Sequence, residues 1–194
     1  MIEPPVLLLD EPLSNLDANL REEMQFEIRR IQREVGITTL MVTHDQSEAL
    51  SISDRVVVMQ AGRVTQIDEP YKLYEHPRTR FISDFVGKAN LLPGHLDATG
   101  CAQVLSTPGS GELLLSLRPE KIDLLPAGNG RLPGRILVRY FLGSQWLYRL
   151  ATAMGDITVV RRNDGSAPLE EGAEVGLDWP DALLRVLTQD EVSA

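Results

Sequence analysis

The chain has 194 residues, 43% of them hydrophobic and 24% charged, the balance of a globular protein with room for one ordinary domain or two small ones. A net charge of −9 with no basic stripe speaks against a nucleic-acid partner and against docking on an anionic membrane surface. A single cysteine, Cys101, excludes an internal disulfide, no apolar run reaches the ~20 residues of a membrane span, and Met1-Ile2-Glu3-Pro4-Pro5 lacks the basic and apolar regions of a signal peptide. A cytoplasmic protein that reaches a membrane only through a partner is the expectation.

In chain order, Val6-Leu7-Leu8-Leu9 is a continuous apolar run that stops at two carboxylates, as a strand buried on both faces reads. Asp17 caps a predicted helix from about Ala18 to Val35, with Leu20, Met24, Ile28, Ile31 and Val35 as its apolar stripe and Gly36 as its stop. Thr38 to Thr43 reads as a second buried strand. Asp45 with Glu48 three residues later resembles a capping box for a short helix. Arg55 to Met59 is a third strand, and Ala61-Gly62 turns the chain into Arg63-Val64-Thr65-Gln66. Pro70 suits the first turn of another helix, Pro77 ends it, and Phe81, Ile82, Phe85 and Val86 form a last apolar stripe. Strand, helix, strand, helix, strand implies a parallel sheet with crossover helices, thin at three strands.

The pattern changes near residue 90, with Leu91-Leu92-Pro93-Gly94 as the junction. Short apolar runs separated by Gly, Pro, Asn and Asp follow: 113–117, 122–125, 135–141, 146–151, 157–161, 175–179 and 184–187. No helical stripe interrupts them, which predicts a small all-β barrel or sandwich. The expected division is therefore 1–90, α/β, and 91–194, all-β.

Chemistry concentrates at two strand ends. Asp10 and Glu11 end the first strand, at the edge where α/β sheets place ligands. One acid there could hold Mg²⁺ through water and the other orient a water for attack on a phosphoryl group; alternatively both simply face solvent. Ser14-Asn15-Leu16-Asp17 follows at once, and Val42-Thr43-His44-Asp45-Gln46 ends the next strand.

Leu7-Leu8-Leu9-Asp10-Glu11-Pro12-Leu13-Ser14-Asn15-Leu16-Asp17, then a helix, then Val42-Thr43-His44-Asp45, closely resembles ABC ATPases. The likeness continues through Ser53-Asp54-Arg55-Val56, the Met59-Gln60-Ala61-Gly62-Arg63 hairpin, Gln66-Ile67 and Tyr74-Glu75-His76-Pro77. It implies a partial P-loop NTPase subdomain that uses ATP and Mg²⁺. In that frame Asp10 binds Mg²⁺ through water, Glu11 polarises the attacking water, His44 reaches the γ-phosphate, and Asp17 faces the opposite protomer of a dimer. Asp17 is equally a good helix cap. His76 and His95 have no comparable setting and read as structural. The family's glycine-rich phosphate loop ending in Lys-Ser/Thr and its Leu-Ser-Gly-Gly-Gln signature do not occur in the 194 residues. The resemblance also places the strand that feeds that loop between the second and third strands found here.

Leu117-Arg118-Pro119-Glu120-Lys121-Ile122, with Gly134 to Tyr140 and Leu142-Gly143-Ser144, resembles the OB-like TOBE, or molybdate-binding-like, extension of importer ATPases. Arg118 and Glu120 read either as a ligand site or, preferably, as the anchor of a β-turn. The resemblance implies a second ATPase subunit, membrane permease subunits and, indirectly, a solute-binding protein. The cargo class is polyamine, ferric iron, sugar or oxyanion. A non-catalytic regulatory or dimerising module, or a remnant, is the alternative.

Overall fold

The computed structural model describes residues 5–105 and 113–188, so the N-terminal reading at residues 1–4 lies outside the described residues. The chain forms two compact units, 1–76 and 77–194. The division falls at Pro77 rather than near residue 90, and the helix Arg80–Phe85 goes with the β-rich unit. The cause is specific: Arg118 Nη1 donates to the carbonyls of Ser83 and Gly87 at 3.1 and 2.6 Å, and the Ser83 and Ser116 hydroxyls meet at 2.8 Å.

The first unit contains β1 (Val6–Asp10), α1 (Ala18–Val35), β2 (Thr38–Val42), α2 (Gln46–Ile52), β3 (Val56–Gln60), β4 (Arg63–Asp68) and α3 (Pro70–Glu75). The α1 signals act as expected. Asp17 Oδ1 accepts from Leu20 N at 3.0 Å, and Gly36, at φ 69°, closes the helix in the left-handed region that glycine enters without steric cost. The expected three-stranded parallel sheet does not form. β1 and β2 pair in parallel, Val6 opposite Thr38 through Asp10 opposite Val42, whereas β3 pairs with β4 as an antiparallel hairpin in a separate sheet. β1 is also not buried on both faces, since Val6, Leu7 and Leu8 are exposed, Leu8 by 69%. Within this unit Leu13, Ile52, Val56, Val58 and Leu73 are buried hydrophobics, while Leu20, Ile31 and Val35 of the α1 stripe are exposed.

The second unit begins with α4 (Arg80–Phe85) and continues as two sheets. One runs in the order β13-β7-β5-β6, built from Asn90–Leu96 (β5), Ala102–Val104 (β6), Leu113–Leu117 (β7) and Arg185–Leu187 (β13). The other runs β11-β10-β9-β12-β8, from Asp123–Pro126 (β8), Leu132–Phe141 (β9), Gln145–Thr152 (β10), Gly155–Arg162 (β11) and Glu174–Asp178 (β12). Their inward residues form one core that includes Leu115, Leu117, Ile136, Tyr148, Leu150, Ile157, Val159 and Leu177. Two devices fix its geometry. Asn90 bridges to β11 as a ladder residue would: Nδ2 donates to Thr158 O at 2.8 Å, and Oδ1 accepts from Thr158 N at 2.7 Å. Gly176 lets β12 pass the turn at Asn129, since a Cβ there would lie 1.6 Å from the Asn129 carbonyl oxygen.

Candidate functional site

The parallel ladder brings the two strand ends together. Asp10 lies opposite Val42, so the residues that follow each strand, Glu11 and His44, leave the sheet at the same edge. His44 Nδ1 lies 3.2 Å from Glu11 Oε1, with both side chains well exposed. Glu11 takes a positive φ of 44°, uncommon for a residue with a β-carbon. Three hydrogen bonds hold it there. Its N–H donates to Val42 O at 2.8 Å, and its carbonyl accepts from Ser14 Oγ at 3.0 Å and Ser14 N at 3.3 Å. The carboxylate is therefore aimed by its backbone.

Asp10 ends β1, exposed and next to this pair. Among the described residues no group of three or more His, Cys, Asp or Glu gathers as a metal nest. Asp17 lies beyond the Leu13 turn and caps α1. Thus the ladder brings Asp10, Glu11 and His44 to one edge, with Asp17 on the adjoining loop.

Sequence reasoning missed the group behind this edge. Glu48 is only 2% exposed. Thr43 Oγ1 donates to Glu48 Oε2 at 2.7 Å and accepts from Asp45 N at 3.0 Å. The capping box is therefore one-sided: Asp45 Oδ1 accepts from Ser47 N and Glu48 N, but the Glu48 carboxylate turns to Thr43 instead of returning to Asp45 N. Arg21 completes the group. Its Nη2 donates to Leu16 O at 2.9 Å, its Nη1 to Asp45 Oδ2 at 3.3 Å, and its Nε lies 3.7 Å from Glu48 Oε1. The Ser47 hydroxyl, the Glu48 and Ser47 backbone N–H groups and the Arg21 charge hold the Asp45 carboxyl below its ordinary pKa, against the opposing effect of burial. The one signal for Glu48 was its place three residues after a cap; nothing in the sequence pairs it with Arg21.

In the second unit Arg118 is 5% exposed and donates to the backbone carbonyls of Ser83 and Gly87, so it ties the start of the Pro119 turn to the end of α4. The Glu11–His44 edge is open to solvent rather than enclosed. A cavity of about 170 Å³ lies elsewhere, lined by Gln103, Arg131 and Trp179 among others.

Residues 115–187, from β7 to β13, match the TOBE domain. The spermidine/putrescine import ATP-binding protein PotA of Ruegeria pomeroyi is 38% identical over 201 residues, covering 95% of this chain and 55% of that protein. The Fe(3+) ions import ATP-binding protein FbpC of Agrobacterium fabrum is 41% identical over 172 residues, covering 82% of this chain and 49% of its own length. By sequence the chain is similar to a part of the ATP-binding subunits of ABC importers. PotA of Frankia alni adds 44% identity over 208 residues, with 91% of this chain and 44% of that protein covered. The chain thus spans about half the length of these importer subunits. Among solved structures, the cytoplasmic molybdate-binding protein ModG aligns with 49% of this chain and 92% of its own at a TM-score of 0.38 and 16% identity, too loose a likeness to bear on function. Among the described residues no helix is long and apolar enough to cross a membrane.

Proposed function

We propose that residues 5–76 are the part of an importer ATPase that carries the catalytic carboxylate and the switch histidine, and that residues 77–188 are its regulatory extension. The observation that carries this reading is the Glu11–His44 contact at 3.2 Å beside Asp10, at the end of a parallel strand pair. A carboxylate fixed at one oxygen by His44 keeps its other oxygen for a water, and a histidine beside it can follow a phosphate as charge develops. Bound Mg²⁺ would neutralise phosphate charge, with Asp10 as its protein-side carboxylate. Asp17 would face a second ATPase subunit across a dimer. Permease subunits would bring the assembly to the inner face of the membrane and carry a polyamine, ferric iron, sugar or oxyanion delivered by a solute-binding protein. The separation of β2 from β3 supports the reading, because the resemblance inserts the phosphate-loop strand at that place.

The 194 residues contain no glycine-rich loop ending in Lys-Ser/Thr, and carboxylates alone repel a nucleotide's phosphates. The chain by itself is therefore expected not to hydrolyse Mg-ATP. Phosphate release should be measured for the chain alone and for the chain joined to the phosphate-loop portion of the Ruegeria relative. Turnover by the joined protein only is expected; turnover by the chain alone would overturn the assignment of labour.

A further inference from the structure

We infer that Arg21 is a positioning residue that ties the turn carrying His44 to the loop carrying Asp17, so that a change at the first is felt at the second. The inference rests on the reading of this edge as an ATPase site, and it names the connection within it. Arg21 stands in the second turn of α1 and reaches in two directions. Toward the Asp17 loop it donates to Leu16 O at 2.9 Å, and toward the histidine turn to Asp45 Oδ2 at 3.3 Å. The buried Glu48 lies between them, held by the Thr43 hydroxyl at 2.7 Å. Thr43 and Asp45 flank His44, and Leu16 precedes Asp17. A continuous path thus runs Thr43–Glu48–Arg21–Leu16 with every link a charged or charge-assisted contact.

Two features argue that the path is more than packing. A carboxylate 2% exposed is expensive to bury unless a cation and hydrogen bonds answer it, and Arg21 and Thr43 answer it here. Yet the tie is one bond short. Arg21 Nε is buried with no hydrogen-bond partner among the described residues, and it faces Glu48 Oε1 at 3.7 Å, just beyond bonding range. A shift of several tenths of an ångström between α1 and α2 would complete that bond.

The test is a spectral cycle on the full chain without nucleotide. The Asp17 amide nitrogen shares its peptide group with Leu16 O, so its chemical shift reports the Arg21 bond. Thr43→Val, which removes the far link, is expected to move the Asp17 amide in the unaltered chain and to leave it unmoved in an Arg21→Met background. Arg21→Lys, which keeps the charge and loses the fork, should also silence the response, and serves if Arg21→Met unfolds the first unit. A purely structural Arg21 would change stability without abolishing this response selectively. An Asp17 amide that ignores Thr43→Val in the unaltered chain, or that moves equally in both backgrounds, overturns the inference. Because no ATP is present, that outcome is separate from any failure to see turnover.

Discussion

At Glu11 the backbone sits at φ 44°, a region that costs a residue with a β-carbon roughly 1–2 kcal/mol. Glu11→Gly is therefore expected to leave the first unit more stable than Glu11→Ala by about 1 kcal/mol in urea denaturation, since both lose the His44 contact and only glycine relieves the strain. Equal midpoints would show that the strain is absent. Asp45 makes a second prediction. Its folded pKa is depressed below the unfolded value, so its contribution is present above the ordinary aspartate range and is lost as pH falls through the depressed folded value. Asp45→Asn should flatten that acid limb in pH-dependent melts of the first unit. At this scale the sequence told where Asp10, Glu11, Asp17 and His44 stand, because their types and spacing are local. It could not tell that Glu48 would turn from its own cap to Thr43 and Arg21, since that choice depends on which helix lies behind α2.

The elements divide in the same way. α1 was legible at both ends because Asp17 and Gly36 are local signals with local physics. The seven apolar runs after residue 112 each became a strand, from β7 through β13, because short apolar runs cut by turn residues mark strands wherever their neighbours lie. Pairing was less legible. β5 hid inside a Leu-Leu-Pro-Gly stretch that read as a junction, and β6 is three residues long. β3 joined β4 across the Ala61-Gly62 turn that the sequence shows, and stayed apart from β2, where the resemblance places another strand. Gly176 makes the element-scale prediction: a Cβ 1.6 Å from Asn129 O must push β12 away from the turn, so Gly176→Ala should cost the second unit about 1–3 kcal/mol in chemical denaturation. A neutral substitution would mean that the 126–129 turn yields freely.

For the whole molecule, the contrast is between a unit with a contiguous two-sheet core and a unit whose strands and main helix expose Leu8, Leu40, Val42, Phe26 and Val35. A two-stranded sheet with uncovered faces is marginal in water. Amide exchange should accordingly be slow in β7, β9, β10 and β11 and fast in β1 and β2, and limited proteolysis should remove material before Pro77 first. Uniform protection would contradict that picture. The central claim, that this edge carries the catalytic carboxylate, is tested most directly by steady-state Mg-ATP hydrolysis in the chain joined to a phosphate-loop portion, with and without Glu11→Gln. A loss of roughly 10²–10⁴-fold with nucleotide binding retained is the predicted result, the range expected for removing a general base. Turnover undiminished by Glu11→Gln would contradict it.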